Sequence, residues 1–188
     1  DYILTGPFEP SNEGYAVAKV AGLKLCSYFN RQYGTDFITI IPPNLYGPKD
    51  NFDPESSHVV AALIKRFHEA KIQKSSEVIV WGSGDARREF MFVEDLADAV
   101  HLLLTMESEY DVINVGVGTD VSIRELAETI SDVVGYGGKI LFDSSKPDGM
   151  PRKLVDNSRI LSLGWKPKVL LKEGIQITYD WFLNKGDE

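Results

Sequence analysis

Residues 37–48 read Phe-Ile-Thr-Ile-Ile-Pro-Pro-Asn-Leu-Tyr-Gly-Pro, and this stretch decides the fold. Its first five residues are apolar or β-branched, which predicts a short strand buried on both faces, and Pro42-Pro43 ends that strand. A helix is predicted before it, from about Glu13 to Arg31, because apolar residues recur there at helical spacing. The loop that follows the strand then lies where open α/β sheets bind ligands, at the carboxyl end of a strand.

The rest of the chain continues to alternate between the two kinds of element. Residues 44–55 are predicted to form a polar loop, followed by a helix that Ser56 or Ser57 caps. Ser122-Ile123-Arg124-Glu125 has the pattern of a capping box at the start of a later helix. Further strands are expected near residues 78–81, 89–93, 112–115 and 139–142. The sequence therefore predicts the α/β class with at least some parallel sheet.

Composition limits what the chain can bind. Among its 188 residues 28 are acidic and 20 are basic, which gives a formal net charge of −8. Nucleic-acid binding needs a net basic face, so we expect no nucleic-acid partner. The sequence has no run of about 18 apolar residues, so we expect no membrane span. Its single cysteine excludes an intramolecular disulfide and favours a reducing, cytoplasmic location.

Tyr15 and Lys19 have a spacing that suits acid–base chemistry. Positions i and i+4 of a helix share one face, so the phenol and the ammonium can point into one site. Tyrosine is a weak acid with a reference pKa of about 10, and a nearby lysine stabilises its phenolate and speeds proton donation to a carbonyl oxygen. Taken alone, the spacing is also that of an ordinary surface pair, because Tyr-x-x-x-Lys is common.

The order of the motifs carries more information than the pair alone. The Tyr15-x-x-x-Lys19 helix comes first, a buried strand follows, and the loop of residues 43–48 comes directly after that strand. This combination resembles the extended short-chain dehydrogenase/reductase family, whose members act on nucleotide-sugars. The resemblance implies that residues 1–48 are the end of a Rossmann-type, NADP-binding parallel-sheet domain and that residues 49–188 form a smaller mixed α/β substrate domain. It also implies that a strand near 112–115 rejoins the Rossmann sheet.

Longer segments narrow the resemblance to one branch of that family, the GDP-L-fucose synthases. The matching segments follow in order along nearly the whole chain: Asp50–Phe52, Ser57–Val59, Lys65–Lys71, Val80–Gly84, Arg88–Phe90, Ile123–Ile130 and Lys146–Lys153. Enzymes of that branch epimerise a GDP-4-keto-6-deoxy-mannose at C3 and C5 and then reduce the C4 ketone with NADPH. The resemblance therefore implies an oxidoreductase and epimerase that uses NADPH and a GDP-sugar.

The same resemblance assigns catalytic and cofactor residues. Tyr15 would donate the proton to the C4 oxygen, while Lys19 would hold the nicotinamide ribose and lower the pKa of Tyr15. His58 would be a general acid/base of the epimerisation, close to the cofactor, because imidazole titrates near working pH. From the residues alone, His58 is also explained as a helix-start residue that contacts backbone. The nicotinamide side of the cofactor would be lined by Pro42, Pro43, Asn44 and Leu45.

Four more residues would bind the GDP-sugar: Arg66, Trp81, Arg88 and Asp148. Arginine can bind two diphosphate oxygens at once, an indole can stack, and a carboxylate can accept hydrogen bonds from guanine or the sugar. Each also has an ordinary structural explanation, such as a solvated helix charge, core filling or the turn former of Pro-Asp-Gly. Because no Cys/His cluster is present in the sequence, we expect no metal site.

The sequence departs from the family pattern in one respect. It lacks the glycine-rich strand–turn–helix that cradles the cofactor pyrophosphate, together with the family's serine and epimerisation cysteine. We therefore expect the chain to be the carboxyl-terminal portion of such an enzyme. The family also implies a homodimer, in which the Tyr15–Lys19 helix packs against its copy through Ala18, Gly22, Leu25 and Phe29.

Two other functions remain open at this point. One is a single-step nucleotide-sugar epimerase or dehydratase, which would share Tyr15 and Lys19 but would not need His58. The other is a catalytically silent chain that only binds a nucleotide-sugar or a partner subunit.

Overall fold

A computed structural model describes residues 5–8, 10–53, 55–106 and 110–184 of the chain. Within these ranges lie six α-helices: α1 (Glu13–Tyr33), α2 (Val59–Ile72), α3 (Val93–Thr105), α4 (Ile123–Val134), α5 (Ser158–Ser162) and α6 (Leu171–Asn184). Nine short strands accompany them: β1 (Thr39–Ile41), β2 (Asn44–Tyr46), β3 (Glu77–Trp81), β4 (Arg87–Arg88), β5 (Phe90–Phe92), β6 (Val112–Asn114), β7 (Val121–Ser122), β8 (Lys139–Asp143) and β9 (Arg152–Lys153). A turn of 3-10 helix at Pro10–Asn12 precedes α1.

The strands pair mostly in parallel. β1 pairs with β6, with Ile40 opposite Ile113, and β2 pairs with β5. β3 and β8 form the longest parallel pair, which runs from Glu77 opposite Lys139 to Trp81 opposite Asp143. β4 lies between β7, which is antiparallel to it, and β9, which is parallel. The α/β class with parallel sheet that the sequence predicts is confirmed.

Two apolar cores hold these elements together. The larger one lies between α2, α4, α6 and one face of β3, and contains the fully buried Phe67, Leu126 and Ile175. The second contains Met91 and Ile113, and partly buried residues of β1 pack against it. A domain boundary after residue 48 stays a prediction, and the second core shows that later segments of the chain return to pack with β1.

The start of α2 differs from the prediction. The helix begins at Val59, and His58, rather than Ser56 or Ser57, takes the N-cap position. The reason lies in Asp53, whose carboxylate accepts the backbone N–H of Ser56 at 3.1 Å and whose carbonyl accepts that of Ser57 at 2.9 Å. The two serines therefore belong to a turn before the helix. The predicted loop at 44–55 was also wrong in part, because it contains β2.

The start of α4 agrees with the prediction. The Ser122 hydroxyl accepts the N–H of Glu125 at 3.0 Å, and the Glu125 carboxylate accepts the N–H of Ser122 at 2.6 Å. These two reciprocal hydrogen bonds form a capping box, which satisfies two N–H groups that a helix start leaves unpaired.

Two buried carboxylates attach loops to the cores. The Asp95 carboxylate, at the start of α3, accepts the N–H groups of Lys168 and Val169, both at 3.1 Å. The Glu89 carboxylate accepts the N–H of Gly118 at 2.8 Å and that of Val155 at 3.0 Å. Burying a charge is costly unless hydrogen bonds compensate it, so both residues require the loops that they hold.

We predict that Asp95→Asn lowers the free energy of unfolding by about 1–3 kcal/mol, because the amide NH2 replaces one acceptor oxygen and leaves one of the two backbone N–H groups without an acceptor. Asp98→Asn on the same helix is the matched control. Its side chain is 47% exposed and pairs with the Lys168 ammonium, so we expect a loss of less than about 1 kcal/mol. Urea unfolding followed by circular dichroism measures both variants. Equal losses would contradict the structural role of Asp95.

Candidate active site

α1 presents Tyr15 and Lys19 one turn apart near its amino end. The Lys19 Nζ lies 5.4 Å from the centroid of the Tyr15 ring, and Tyr15 is 62% exposed. α1 is attached at its other end, where the Asn30 amide donates to Phe37 O at 2.9 Å and to Asp111 Oδ1 at 3.2 Å. The carboxyl end of the helix is thus bonded to the residues that lead into β1 and β6, while the phenol and the ammonium stay accessible.

The segment that follows β1 is held beside Glu89. Pro43 is buried, and Asn44 donates both its backbone N–H (3.3 Å) and its side-chain amide (3.0 Å) to the carbonyl oxygen of Glu89. Leu45 packs against the second core. Because Arg88 directly precedes Glu89 in the chain, this contact places the predicted cofactor segment next to a predicted substrate residue.

His58 lies at the amino end of α2 with extended backbone, at φ −75° and ψ 162°. Its imidazole is exposed and makes no capping hydrogen bond to the helix. The hydroxyl of the neighbouring Ser57 is buried and has no hydrogen-bond partner among the described residues. The alternative in which His58 serves to contact helix backbone is therefore not what the structure shows.

Trp81 ends β3 with 65% of its surface exposed. Arg66 on α2 donates to the carbonyl of Ile79, two residues earlier, at 2.8 Å. Lys146, which the sequence analysis did not single out, places its Nζ 5.7 Å from the centroid of the Trp81 indole. An exposed indole with a lysine near its ring thus lies at the carboxyl end of a parallel strand, where α/β folds bind ligands, and Arg66 is bonded to the same strand two residues earlier.

Arg88 and Asp148 join the same group through the turn after β3. The Asp148 carboxylate accepts the Ser83 N–H at 2.7 Å and the Ser83 hydroxyl at 2.8 Å, and Arg88 Nη2 donates to the Asp148 carbonyl at 3.4 Å. Gly82 makes this contact possible, because its φ is +88° and a Cβ there would lie 2.3 Å from Asp148 Oδ1. We call Arg66, Trp81, Arg88 and Asp148, with Ser83 and Lys146, the Trp81 cluster.

Asp120 holds the far end of the loop that carries Asp148. Its carboxylate, 5% exposed, pairs with Arg87 at 2.8 Å and with Arg152. The two guanidinium groups hold the pKa of the Asp120 carboxyl below its ordinary value, and Arg152 has the largest effect. Sequence reasoning missed Asp120, because its partners lie 33 and 32 residues away and no local pattern marks them.

The structure brings some predicted residues together and leaves others apart. The four predicted substrate residues lie along β3, the turn after it and the neighbouring segments, linked by hydrogen bonds through Ile79, Ser83 and Asp148, and their substrate roles stay predictions. In the described part of the chain, no hydrogen bond, ion pair or ring contact joins Tyr15 or Lys19 to the Trp81 cluster or to His58.

The described residues contain no group of three or more His, Cys, Asp or Glu side chains that could hold a metal ion, and no helix among them is long and apolar enough to cross a membrane.

Comparison with known proteins identifies the family. The model of the NAD dependent epimerase/dehydratase family matches residues 1–116. The chain belongs to the NAD dependent epimerase/dehydratase family. This span of the family model includes α1, the segment after β1 and every residue of the Trp81 cluster except Lys146 and Asp148.

Relatives within the family are more specific. The chain is 57% identical over 181 residues to a probable GDP-L-fucose synthase 1 of Oryza sativa subsp. japonica, which covers 96% of this chain and 55% of the relative. It is 51% identical to the GDP-L-fucose synthase of Escherichia coli K12, over 98% of this chain and 60% of the relative. A crystal structure of a GDP-L-fucose synthetase from Naegleria fowleri bound to NADP has a TM-score of 0.87 at 32% identity, over 98% of this chain and 60% of that one. The chain spans little more than half the length of these family members.

Proposed function

We propose that the protein to which this chain belongs is an NADPH-dependent enzyme that epimerises a GDP-4-keto-6-deoxy-mannose at C3 and C5 and reduces C4, giving GDP-L-fucose. The observation that carries the proposal is the Trp81 cluster, in which hydrogen bonds and one cation–indole contact bring residues far apart in sequence to the carboxyl end of β3 and the turn after it. The likeness to enzymes named GDP-L-fucose synthase, at 51–57% identity, supports the same substrate.

The Trp81 cluster suits a nucleoside diphosphate. Arg66 and Arg88 supply planar donors for phosphate oxygens, and the indole of Trp81 supplies a face on which a base or sugar can pack. The chain as a whole is acidic, but these cations form a local positive region that can attract an anionic ligand. Both carboxylate oxygens of Asp148 accept hydrogen bonds from Ser83, so Asp148 fixes the loop that carries it. The remaining lone pairs of the carboxylate can accept hydrogen bonds from the ligand.

The described residues fit the nicotinamide half of NADPH. Pro42, Pro43, Asn44 and Leu45 follow the carboxyl end of β1 in a fixed conformation, and the buried, unpartnered hydroxyl of Ser57 lies beside His58 in the chain. When bound, NADPH supplies the hydride for reduction of the C4 ketone. No glycine-rich strand–turn–helix occurs in the sequence, so we assign the cofactor pyrophosphate to none of these residues.

Tyr15 and Lys19 supply the proton for the reduction. The exposed phenol donates to the C4 oxygen as negative charge develops there, and the Lys19 ammonium stabilises the phenolate that remains. A second role of Lys19 is to hold the nicotinamide ribose.

His58 serves the epimerisation. Inversion at C3 and C5 requires removal and return of a proton next to the ketone, and an imidazole suits both steps at neutral pH. The exposed ring, which makes no capping hydrogen bond to α2, is available for this work. A single-step 4-epimerase, the main alternative, would not use it.

We propose further that the protein is a homodimer in which α1 packs against its copy. No residue of α1 is buried, although Leu25 and Phe29 are large and apolar. Together with Ala18 and Gly22 they follow helical spacing, which gives one self-complementary stripe as a two-fold interface requires.

We expect Tyr15→Phe in the full-length protein to slow the oxidation of NADPH by GDP-4-keto-6-deoxy-mannose by about 10²–10⁴-fold, because the positioned proton donor is lost. Loss of absorbance at 340 nm measures the rate. Tyr28→Phe, on the same helix and similarly exposed, is the matched control and should retain the wild-type rate. An unchanged rate in Tyr15→Phe would rule out the role.

For His58→Asn we expect exchange of the C3 and C5 protons of the keto-sugar to slow by about 10²–10⁴-fold, while reduction of an already epimerised keto-sugar continues. Proton NMR of the substrate in D₂O, without NADPH, follows the exchange. His101→Asn, a change at an exposed helical histidine, is the control. Exchange at the wild-type rate in His58→Asn would make His58 structural, and wild-type protein that exchanges neither position would favour a simple 4-epimerase.

For the dimer, we expect Leu25→Asp to shift the full-length protein toward monomer in sedimentation-velocity experiments at micromolar concentration, because a carboxylate in an apolar interface is costly. Leu104→Asp on α3, where the side chain is 79% exposed, should leave the sedimentation coefficient unchanged. A wild-type protein that sediments as a monomer would refute the dimer.

A further inference from the structure

A second pocket lies at the opposite end of the β3–β8 pair from Trp81. It is a shallow hollow of about 480 Å³, open to solvent, between the loop that leads into β3 and the loop that leads into β8. Its walls include the side chains of three lysines, Lys71, Lys74 and Lys139, and no carboxylate. A pocket of this size accommodates a small organic ligand.

Charges around this pocket leave it positive. The carboxyl ends of α2 and α4 both point here, and each helix end carries roughly half a negative charge. The Lys71 ammonium donates to the carbonyl of Val134 at 2.7 Å and so serves the end of α4. Glu77 stands opposite Lys139 in the strand register, but neither Lys74 nor Lys139 forms an ion pair within the described residues. When Glu77 and both helix ends are counted against the three lysines, a net positive charge of about one remains.

Lys74 occupies a backbone position that does not favour lysine. It follows α2 with a φ of +54°, in the left-handed region that glycine adopts readily and other residues adopt at a cost. At the ends of α1 and α4 the left-handed residue is a glycine, Gly34 with φ +65° and Gly135 with φ +73°. This backbone closes α2, because the Lys74 N–H donates to Lys71 O at 3.2 Å and the Ser75 N–H donates to Ala70 O at 2.9 Å, and a lysine there gives up stability relative to glycine.

The walls of the pocket are tied to each other. The Tyr136 hydroxyl donates to the carbonyl of Ser75 at 3.1 Å, and the Lys139 N–H donates to the carbonyl of Ser76 at 2.9 Å. Gly138 is needed for this close approach, because a Cβ there would lie 2.1 Å from the Tyr136 hydroxyl. The two loops therefore form a fixed cradle between Lys74 and Lys139.

We propose that this pocket is a second anion site, which binds a small phosphate-bearing molecule through Lys74 and Lys139. Lysine ammonium groups bind phosphate oxygens as point charges, and the local positive charge attracts an anion to an otherwise acidic chain. The site lies at the amino ends of β3 and β8, while the Trp81 cluster lies at the carboxyl end of β3, so the two sites can be filled at the same time.

Isothermal titration calorimetry of the full-length protein tests the proposal. Inorganic phosphate and glucose 6-phosphate are titrated separately into the wild type, and the same titrations of Arg66→Gln report any anion that binds at the Trp81 cluster instead. We expect one equivalent of the anion to bind, and Lys74→Gly and Lys139→Gln each to weaken it by about tenfold, the effect of losing one charged hydrogen-bond donor. Tighter binding of glucose 6-phosphate identifies a phosphate ester as the natural ligand, and equal binding identifies free phosphate.

Two controls separate binding from folding. Lys74→Gly should unfold at the same or a higher temperature than the wild type, because glycine relieves the left-handed backbone, so that weaker binding does not come from instability. Lys49→Gly removes the other described lysine with positive φ, at +67°, and should leave anion binding unchanged because Lys49 does not line the pocket. The proposal fails if no anion binds to the wild type, or if the two pocket variants bind as tightly as it does. Neither result bears on the function proposed for the Trp81 cluster.

Discussion

The carboxylate of Glu89 joins two loops that lie far apart in the sequence. It is fully buried, and its two oxygens accept N–H groups from Gly118 and from Val155, in two separate loops. Its backbone carbonyl accepts both donors of Asn44. Gly116 must be a glycine for this arrangement, because a Cβ there would lie 2.6 Å from Glu89 Oε1. A buried charge with these partners defines one geometry, since loss of any partner leaves it uncompensated.

The candidate active site depends on that geometry. Arg88 and Asn44, a proposed substrate residue and a proposed cofactor residue, both take their positions from Glu89, one through the chain and one through hydrogen bonds. The loop after β8 is then fastened at three points: by Asp148 to Ser83, by the carbonyl of Pro151 to the Arg87 N–H, and by Arg152 to Asp120. The Trp81 cluster is thus held by buried or paired charges rather than by apolar packing, which suits a site that must stay open to a polar ligand.

What the sequence predicts and what it misses follow from the range of the interactions. The capping box at Ser122 and Glu125 is visible because its partners are three residues apart, and the parallel strands are visible because apolar runs mark them. Two-residue strands such as β4 and β9 are too short to leave a pattern. Asp120, Ser83 and Lys146 are missed for a different reason. Each interacts with a residue more than 30 positions away, so no local pattern marks it. His58 is predicted only in part. The sequence motif marks it as a candidate, but only the structure shows that the Asp53 turn displaces the helix start and that the imidazole makes no capping hydrogen bond.

The two ends of the β3–β8 pair show how one parallel unit can serve two kinds of ligand. At the carboxyl end of β3 the chain places an indole and guanidinium groups, which recognise shape and direction as well as charge. At the amino ends it places lysines, which act as point charges and require only that an anion be present. The helix ends have the opposite sign of charge, because α2 and α4 bring their partly negative carboxyl ends to the side where the lysines lie. Lysines are therefore needed there to neutralise the helix ends, and only the positive charge in excess of that need distinguishes a binding site from ordinary helix termination.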